Sequence, residues 1–234
     1  MKIDQLSIFK DLNPETITFL EKKLIIREYK KGEFIFFEKD QVEKIYIIVS
    51  GRVSIHKYTQ KAHKKIMYIL GSGEIINEVI FDNLPASINA EVFENTVVLE
   101  YFAKDFKIIM EKDFKLTYRI IQSSGRKVRR LYRQLKNTVP ISLDKKVASK
   151  LWKLSKDHGM MCEVEENSLD TSPKKDCWIG LEFKISITYL ADMLGSTRET
   201  ISRELKKLEG YGYIKWVDKR IFVKREELRK FYRR

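Results

Sequence analysis

The stretch Ser186–Leu208, SITYLADMLGSTRETISRELKKL, decides how the rest of the chain is read. It predicts a helix, a tight turn at Gly195 and a second helix. In the first helix Leu190, Ala191 and Leu194 form the apolar stripe; in the second, Ile201, Leu205 and Leu208 recur at helical spacing and belong against a core. Ser196 followed by Glu199 fits a capping box at the start of the second helix. Residues four apart share a helix face, so Arg198 lies over Ser202 and Glu199 over Arg203. Small residues around a glycine turn let two helices cross steeply, as in a helix-turn-helix. The polar face then carries the groups that read base edges. Arginine donates two hydrogen bonds to guanine O6 and N7, and glutamate accepts from cytosine N4. The competing reading is a solvated face on which Glu199 caps the helix and pairs with Arg203.

The segment after the second helix favours base reading. Gly210 to Gly212 ends the helix, and YIKWVDKRIFV, residues 213–223, reads as two short strands around Asp218-Lys219. A hairpin in that place is a wing, and it puts Lys219 and Arg220 where phosphates would lie. Charge agrees. The chain has 46 Lys+Arg against 33 Asp+Glu. Residues 1–103 hold 14 basic and 15 acidic side chains, whereas residues 104–234 hold 32 and 18. A near-neutral half joined to a strongly basic half predicts two domains, of which the second meets a polyanion. No segment has the ~20 apolar residues of a membrane span, and the N-terminus does not read as a signal peptide. Two cysteines, Cys162 and Cys177, suit a reducing cytoplasm and read as ordinary thiols rather than a redox-sensitive disulfide.

The near-neutral half begins with a helical pattern, Asn13-Pro14 as cap and first turn and Ile17, Leu20 and Leu24 as its apolar face. From Lys30 the texture becomes β-rich: Phe34–Glu38, Lys44–Val49, Arg52–Tyr58, Ile66–Leu70, Ala90–Val92 and Thr96–Phe102, punctuated by Gly32, Gly51, Gly71 and Gly73. Short strands at close spacing predict an antiparallel barrel or jelly roll with room for a small ligand. From Ala103 a long helical run extends to about Asn137, broken at most once near Asp113. Ile121, Val128 and Leu135 are seven apart, with Leu131 between the last two, a pattern that predicts a homodimer seam rather than a helix packed only on the barrel.

In this order the elements resemble a known family. KKGEFIFFEKD (residues 30–40), IYIIVSGRVSIHK (45–57) and LGSGEIINEVIFDNLPAS (70–87), then a long helix, then STRETISRELKKLE (196–209), resemble the Crp/Fnr bacterial transcription regulators over essentially the whole chain. The resemblance implies an α+β architecture. An N-terminal cyclic-nucleotide-binding-like antiparallel β-roll with a short helix would span residues 1–112, a dimerisation helix 113–138 and a C-terminal winged helix-turn-helix 139–234. It implies a cytoplasmic homodimer on a palindromic promoter site in double-stranded DNA, in contact with RNA polymerase and controlled by a small effector in the roll. Arg198, Glu199 and Arg203 become the base readers, and Ser202 sits where members adjust half-site preference. Ser196, Thr197 and Thr200 are expected on phosphates beside Lys219 and Arg220.

Departures from the family narrow the effector. The pocket run is Asn77, Glu78, Val79, then Ala86, Ser87 and Ile88, where cyclic-AMP binders resemble G-E-L and R-S-A. Glu78 and Ser87 survive, but Asn77 replaces the glycine and Ala86 the phosphate-neutralising arginine. A buried phosphate would have no partner, so cyclic AMP is not expected. Residues 1–100 contain no cysteine, which excludes the family's N-terminal iron–sulfur cluster. Haem remains an alternative, through His56, His63 or His158, with Met67 four residues after His63. The alternative of another class is a cupin-like metal enzyme. It lacks the paired histidines such a site uses, and no catalytic or metal residue is assigned.

Overall fold

The structure is a computed structural model that describes residues 3–59, 63–136, 142–160 and 177–233. The chain divides into two units, Met1–Gln134 and Leu135–Arg234. In the first, α1 (Pro14–Lys23) precedes β1 (Ile25–Tyr29), β2 (Phe34–Phe36), β3 (Lys44–Tyr58), β4 (Lys64–Leu70) and β5 (Asn89–Phe102). Then come α2 (Ala103–Lys112) and α3 (Phe114–Lys136), the latter extending two residues into the second unit. The sheet runs β1-β5-β3-β4, with β2 added on β5, and its pairings are antiparallel.

Two pairs of predicted strands are each a single strand. β3 carries register shifts at Ile48/Ser50, Ser50/Arg52 and Arg52/Val53 instead of ending at Gly51. Gly51 has φ of 84°, and a Cβ there would meet the Asn95 carbonyl at 2.3 Å. Such bulges bend a strand without breaking its ladder, and this curls the sheet into a roll. The sequence also missed β1, because Ile25–Tyr29 directly follows a helix and alternates poorly.

Strand residues Phe36, Ile48, Val53, Ile55, Leu70, Val92 and Val98 fill the roll, joined by Ile76 from the segment between β4 and β5. A second cluster, including Phe9, Leu20, Ile45, Tyr101, Phe106, Leu116 and Ile120, joins the sheet to α1, α2 and α3. Each such buried side chain contributes about 1.5–3 kcal/mol. The long helix breaks at Asp113, as the sequence indicated. The Asp113 carboxylate accepts from Lys115 N at 3.0 Å and Leu116 N at 3.4 Å, which caps α3. It also accepts from Asn13 N at 3.1 Å and the Thr16 hydroxyl at 2.8 Å, which ties α1 to the same point.

The second unit contains α4 (Leu143–His158), β6 (Trp178–Gly180), α5 (Ile187–Leu194), α6 (Arg198–Gly210), β7 (Ile214–Val217), β8 (Arg220–Lys224) and α7 (Arg225–Arg233). Its sheet is ordered β6-β8-β7, and β6 was not foreseen. Its core contains Val147, Leu151, Leu190, Ile201, Leu205, Leu208, Ile221, Val223 and Leu228. Cys177 is in a disulfide, which corrects its reading as an ordinary thiol. A cysteine count speaks of compartment and is blind to which thiols a fold brings together. Cys162 lies outside the described residues.

Candidate nucleic-acid interface

Ser186 caps α5, its hydroxyl accepting from Tyr189 N at 3.1 Å. The helix ends at Gly195, whose φ of 66° is the left-handed conformation that glycine adopts without strain. Ser196 N then donates to Ala191 O at 3.1 Å. The Ser196 amide is therefore spent closing α5, and α6 starts one residue later than expected. Thr197 is its cap, with Oγ1 accepting from Thr200 N at 3.3 Å and lying 2.8 Å from the Thr200 hydroxyl. The predicted Ser196–Glu199 capping box is thereby corrected to a threonine pair.

Ile201, Leu205 and Leu208 are buried, and Arg198, Glu199 and Arg203 are exposed on α6, with Ser202 half-buried beside them. Among the described residues, Glu199 makes no ion pair with Arg203 and neither arginine has a carboxylate partner. One ion pair does form on the same helix: Lys207 donates to Glu204 at 3.0 Å. Lys206, exposed three residues beyond Arg203, extends the open cationic surface and was not singled out in the sequence.

The hairpin β7–β8 turns through Asp218 and Lys219, with φ of 48° and 62°. Two central residues at positive φ fit a type I′ turn, whose twist matches the strands. Lysine is a poor residue for that conformation, so its presence at the tip costs local stability. Replacing Lys219 by glycine is expected to stabilise the winged unit by up to ~1 kcal/mol. The same change should weaken binding to specific and random duplexes alike and reduce the salt slope by about one. Urea unfolding and fluorescence titration across salt concentrations check the two signs.

In the roll, the residues of the run Asn77 to Ile88 differ in their surroundings. The Asn77 amide is committed: Oδ1 accepts from Tyr46 N at 3.1 Å and Nδ2 donates to Lys44 O at 2.7 Å. Glu78 is buried and accepts from the Ser123 hydroxyl of α3 at 2.5 Å. It also pairs with Lys127 of α3, whose Nζ donates to Ile75 O at 2.5 Å. Burial lowers the Lys127 pKa, against the opposing pull of Glu78. Val79 and Ser87 are exposed, and Ile88 packs on the roll core.

Farther along α3, Arg130 pairs with Glu74 at 3.1 Å and Gln134 Nε2 donates to Met67 O at 2.7 Å. The opposite side of α3 exposes Phe114, Tyr118, Ile121, Gly125, Val128, Tyr132 and Leu135, separated alternately by four and three residues. Leu131, expected in this row, is half-buried beside it. His56 is fully buried and its pKa is pushed to about 4, by burial first and then by the Lys64 ammonium. His63 precedes β4 and His158 ends α4. Among the described residues no three His, Cys, Asp or Glu side chains gather where a metal ion could sit.

Residues 26–113 match the family model described as cyclic nucleotide-binding domain, and residues 145–231 match the Crp-like helix-turn-helix domain. The chain belongs to the Crp/Fnr family of transcription regulators. It is 21% identical over 221 residues to the CRP-like cAMP-activated global transcriptional regulator of Mycobacterium tuberculosis H37Rv, covering 94% of this chain and 93% of that one. It is 23% identical over 209 residues to the cyclic AMP receptor protein of Thermus thermophilus, covering 89% and 88%. Similar folds include CooA from Carboxydothermus hydrogenoformans, with a TM-score of 0.72 at 19% identity over 90% of this chain and 88% of CooA. FixK2 from Bradyrhizobium japonicum has a TM-score of 0.70 at 18% identity, over 88% of this chain and 96% of FixK2. A Crp/Fnr regulator joins an effector-binding domain to a DNA-binding one and is not an enzyme, which disposes of the metal-enzyme alternative. No helix among the described residues is long and apolar enough to cross a membrane.

Proposed function

We propose that this regulator works in the cytoplasm as a homodimer on a palindromic duplex, pairing along the exposed α3 row and presenting one α6 to each half-site. The carrying observation is the row Arg198, Glu199 and Arg203, exposed on a capped helix without an acidic partner for either arginine among the described residues. Arg198 and Arg203 read guanine, Glu199 reads cytosine, and Ser202 adjusts the preference between them. Ser196, Thr197, Thr200, Lys219 and Arg220 hold phosphates, which fix register without carrying sequence information. Selection of duplexes from random DNA tests the reading. An inverted repeat with half-sites about 34–36 Å apart supports it, and enrichment of no sequence overturns it.

The α3 row supplies the two-fold axis. A 3.5-residue apolar repeat on an exposed face fits a parallel two-helix seam, and Gly125 in its middle lets the backbones approach. Ile121→Glu puts a charge into that seam at a position 60% exposed within one chain. The fold of the single chain should change in stability by less than about 0.5 kcal/mol. Sedimentation at micromolar concentration should show monomer, and operator affinity should fall at least ~100-fold, or about 2.7 kcal/mol. Control enters through the roll, because a small effector that shifts α3 against it redistributes the arrangements of the two reading heads. Contact with RNA polymerase would then convert site occupancy into a transcriptional output. Cyclic AMP is not that effector on this reading: Ala86 offers its phosphate no cation, and Asn77 is held by the Lys44 and Tyr46 backbone.

A further inference from the structure

The mouth of the roll contains an acceptor site of a definite kind. The Glu78 carboxylate and the Ile75 carbonyl converge on one point, and both are met by Lys127 Nζ. Ser123 Oγ takes the other carboxylate oxygen at 2.5 Å. The Glu78 side chain is 4% exposed and that of Lys127 13% exposed, so this ion pair is withdrawn from water. A carboxylate and a carbonyl facing inward match a donor-only group with a positive charge, which is what a primary ammonium is. The outer flank is also paired, Arg130 with Glu74. All these helix residues, Ser123, Lys127 and Arg130, lie on the side of α3 opposite the exposed apolar row.

We propose that the roll holds an ammonium-binding site filled in cis by Lys127, so that α3 docks on the roll without a small ligand and cyclic nucleotides do not alter that docking. A nucleotide hydroxyl would have to displace a charged partner from Glu78, and Ala86 itself brings no cation to its phosphate. Lys127 is thus the residue that determines what the mouth of the roll accepts. A ligand able to compete there must itself be a small organic cation. The inference rests on the family reading of the roll but not on any DNA site.

Chemical rescue tests it on the full-length chain. In Lys127→Ala, amide hydrogen exchange across residues 120–134 is expected to quicken at least ~10-fold, because one partner of a buried pair is gone and the other is stranded. Millimolar propylamine should restore protection, and cyclic AMP should not. In the unmodified protein, cyclic AMP and cyclic GMP at millimolar concentration should leave both exchange and melting temperature unchanged. Should Lys127→Ala fail to fold, the isosteric Lys127→Met, compared with Lys127→Arg, reads out the same loss and its conservative rescue. Unchanged exchange in the variants, absence of amine rescue, or protection of the unmodified α3 by a cyclic nucleotide would each overturn the proposal. Success or failure here is independent of whether α6 reads a palindrome, since no DNA is present.

Discussion

Arg203→Ala is expected to lower affinity for the specific duplex about 5- to 150-fold, a loss of ~1–3 kcal/mol, while changing random-duplex affinity less than about threefold. The asymmetry comes from where the side chain stands. It projects from an exposed face of α6 and has no carboxylate partner in the described chain, so its removal strands no buried charge. The helix loses nothing of its core, which is carried by Ile201, Leu205 and Leu208. On the proposed reading the variant would lose a bidentate contact to one base and keep most of its phosphate contacts. Paired fluorescence-anisotropy titrations on selected and scrambled duplexes at one salt concentration make the comparison. Equal weakening on both would mean that Arg203 only neutralises phosphate, and the assignment of α6 as the reading element would fall.

The largest stability effect is expected at Asp113. Its carboxylate accepts from two amides at the start of α3 and from Asn13 N and the Thr16 hydroxyl. Burial pushes this carboxyl up, but the hydrogen bonds from Asn13, Thr16, Leu116 and Lys115 together outweigh it and hold the pKa below the ordinary 3.8. Asp113→Ala leaves four donors without their acceptor and removes a helix cap. The expected cost is about 2–4 kcal/mol, with a drop in melting temperature on the order of 10 °C. The sign with pH is fixed by linkage. A carboxyl whose folded pKa is depressed contributes stability that is fully present above the ordinary pKa and is lost as pH falls through the folded one. The gap between Asp113→Ala and the unmodified protein should therefore be full at pH 6–7 and close progressively below about pH 4. Urea unfolding of both proteins over that range measures it. A gap that is constant with pH would show that packing, rather than the ionised carboxylate, holds this junction.

Much of the chain was legible before its structure. The turn at Gly195, the wing turning at Asp218-Lys219, the break at Asp113 and the roll's short β-rich runs all rest on local signals: glycine punctuation, a helix stop, a period of two or of 3.6. Local signals also failed in identifiable ways. The cap moved from Ser196 to Thr197 because closing α5 claims the Ser196 amide, and such a competition cannot be seen within one helix pattern. Gly51 looked like a strand end but is a bulge inside β3, since a ladder on both sides carries the strand through it. Cys177 read as an ordinary thiol because composition reports compartment and not proximity.

The sequence by itself determined the class of molecule. The face Arg198, Glu199 and Arg203 on a patterned helix, a basic second half and the order of roll, long helix and winged helix need only nearest-neighbour chemistry to be read. What only the tertiary structure decided is which charges are already spent. Lys127 and Arg129 are two cations separated only by Val128, alike in sequence, yet one is buried against Glu78 and the other lies open on α3. Glu78 read as a ligand contact and is an intrachain acceptor, and Asn77 read as a lost glycine and is pinned by the Tyr46 and Lys44 backbone. These pairings join residues 30 to 50 positions apart, so they exist only once β-strand register and the docking of α3 have set the distances.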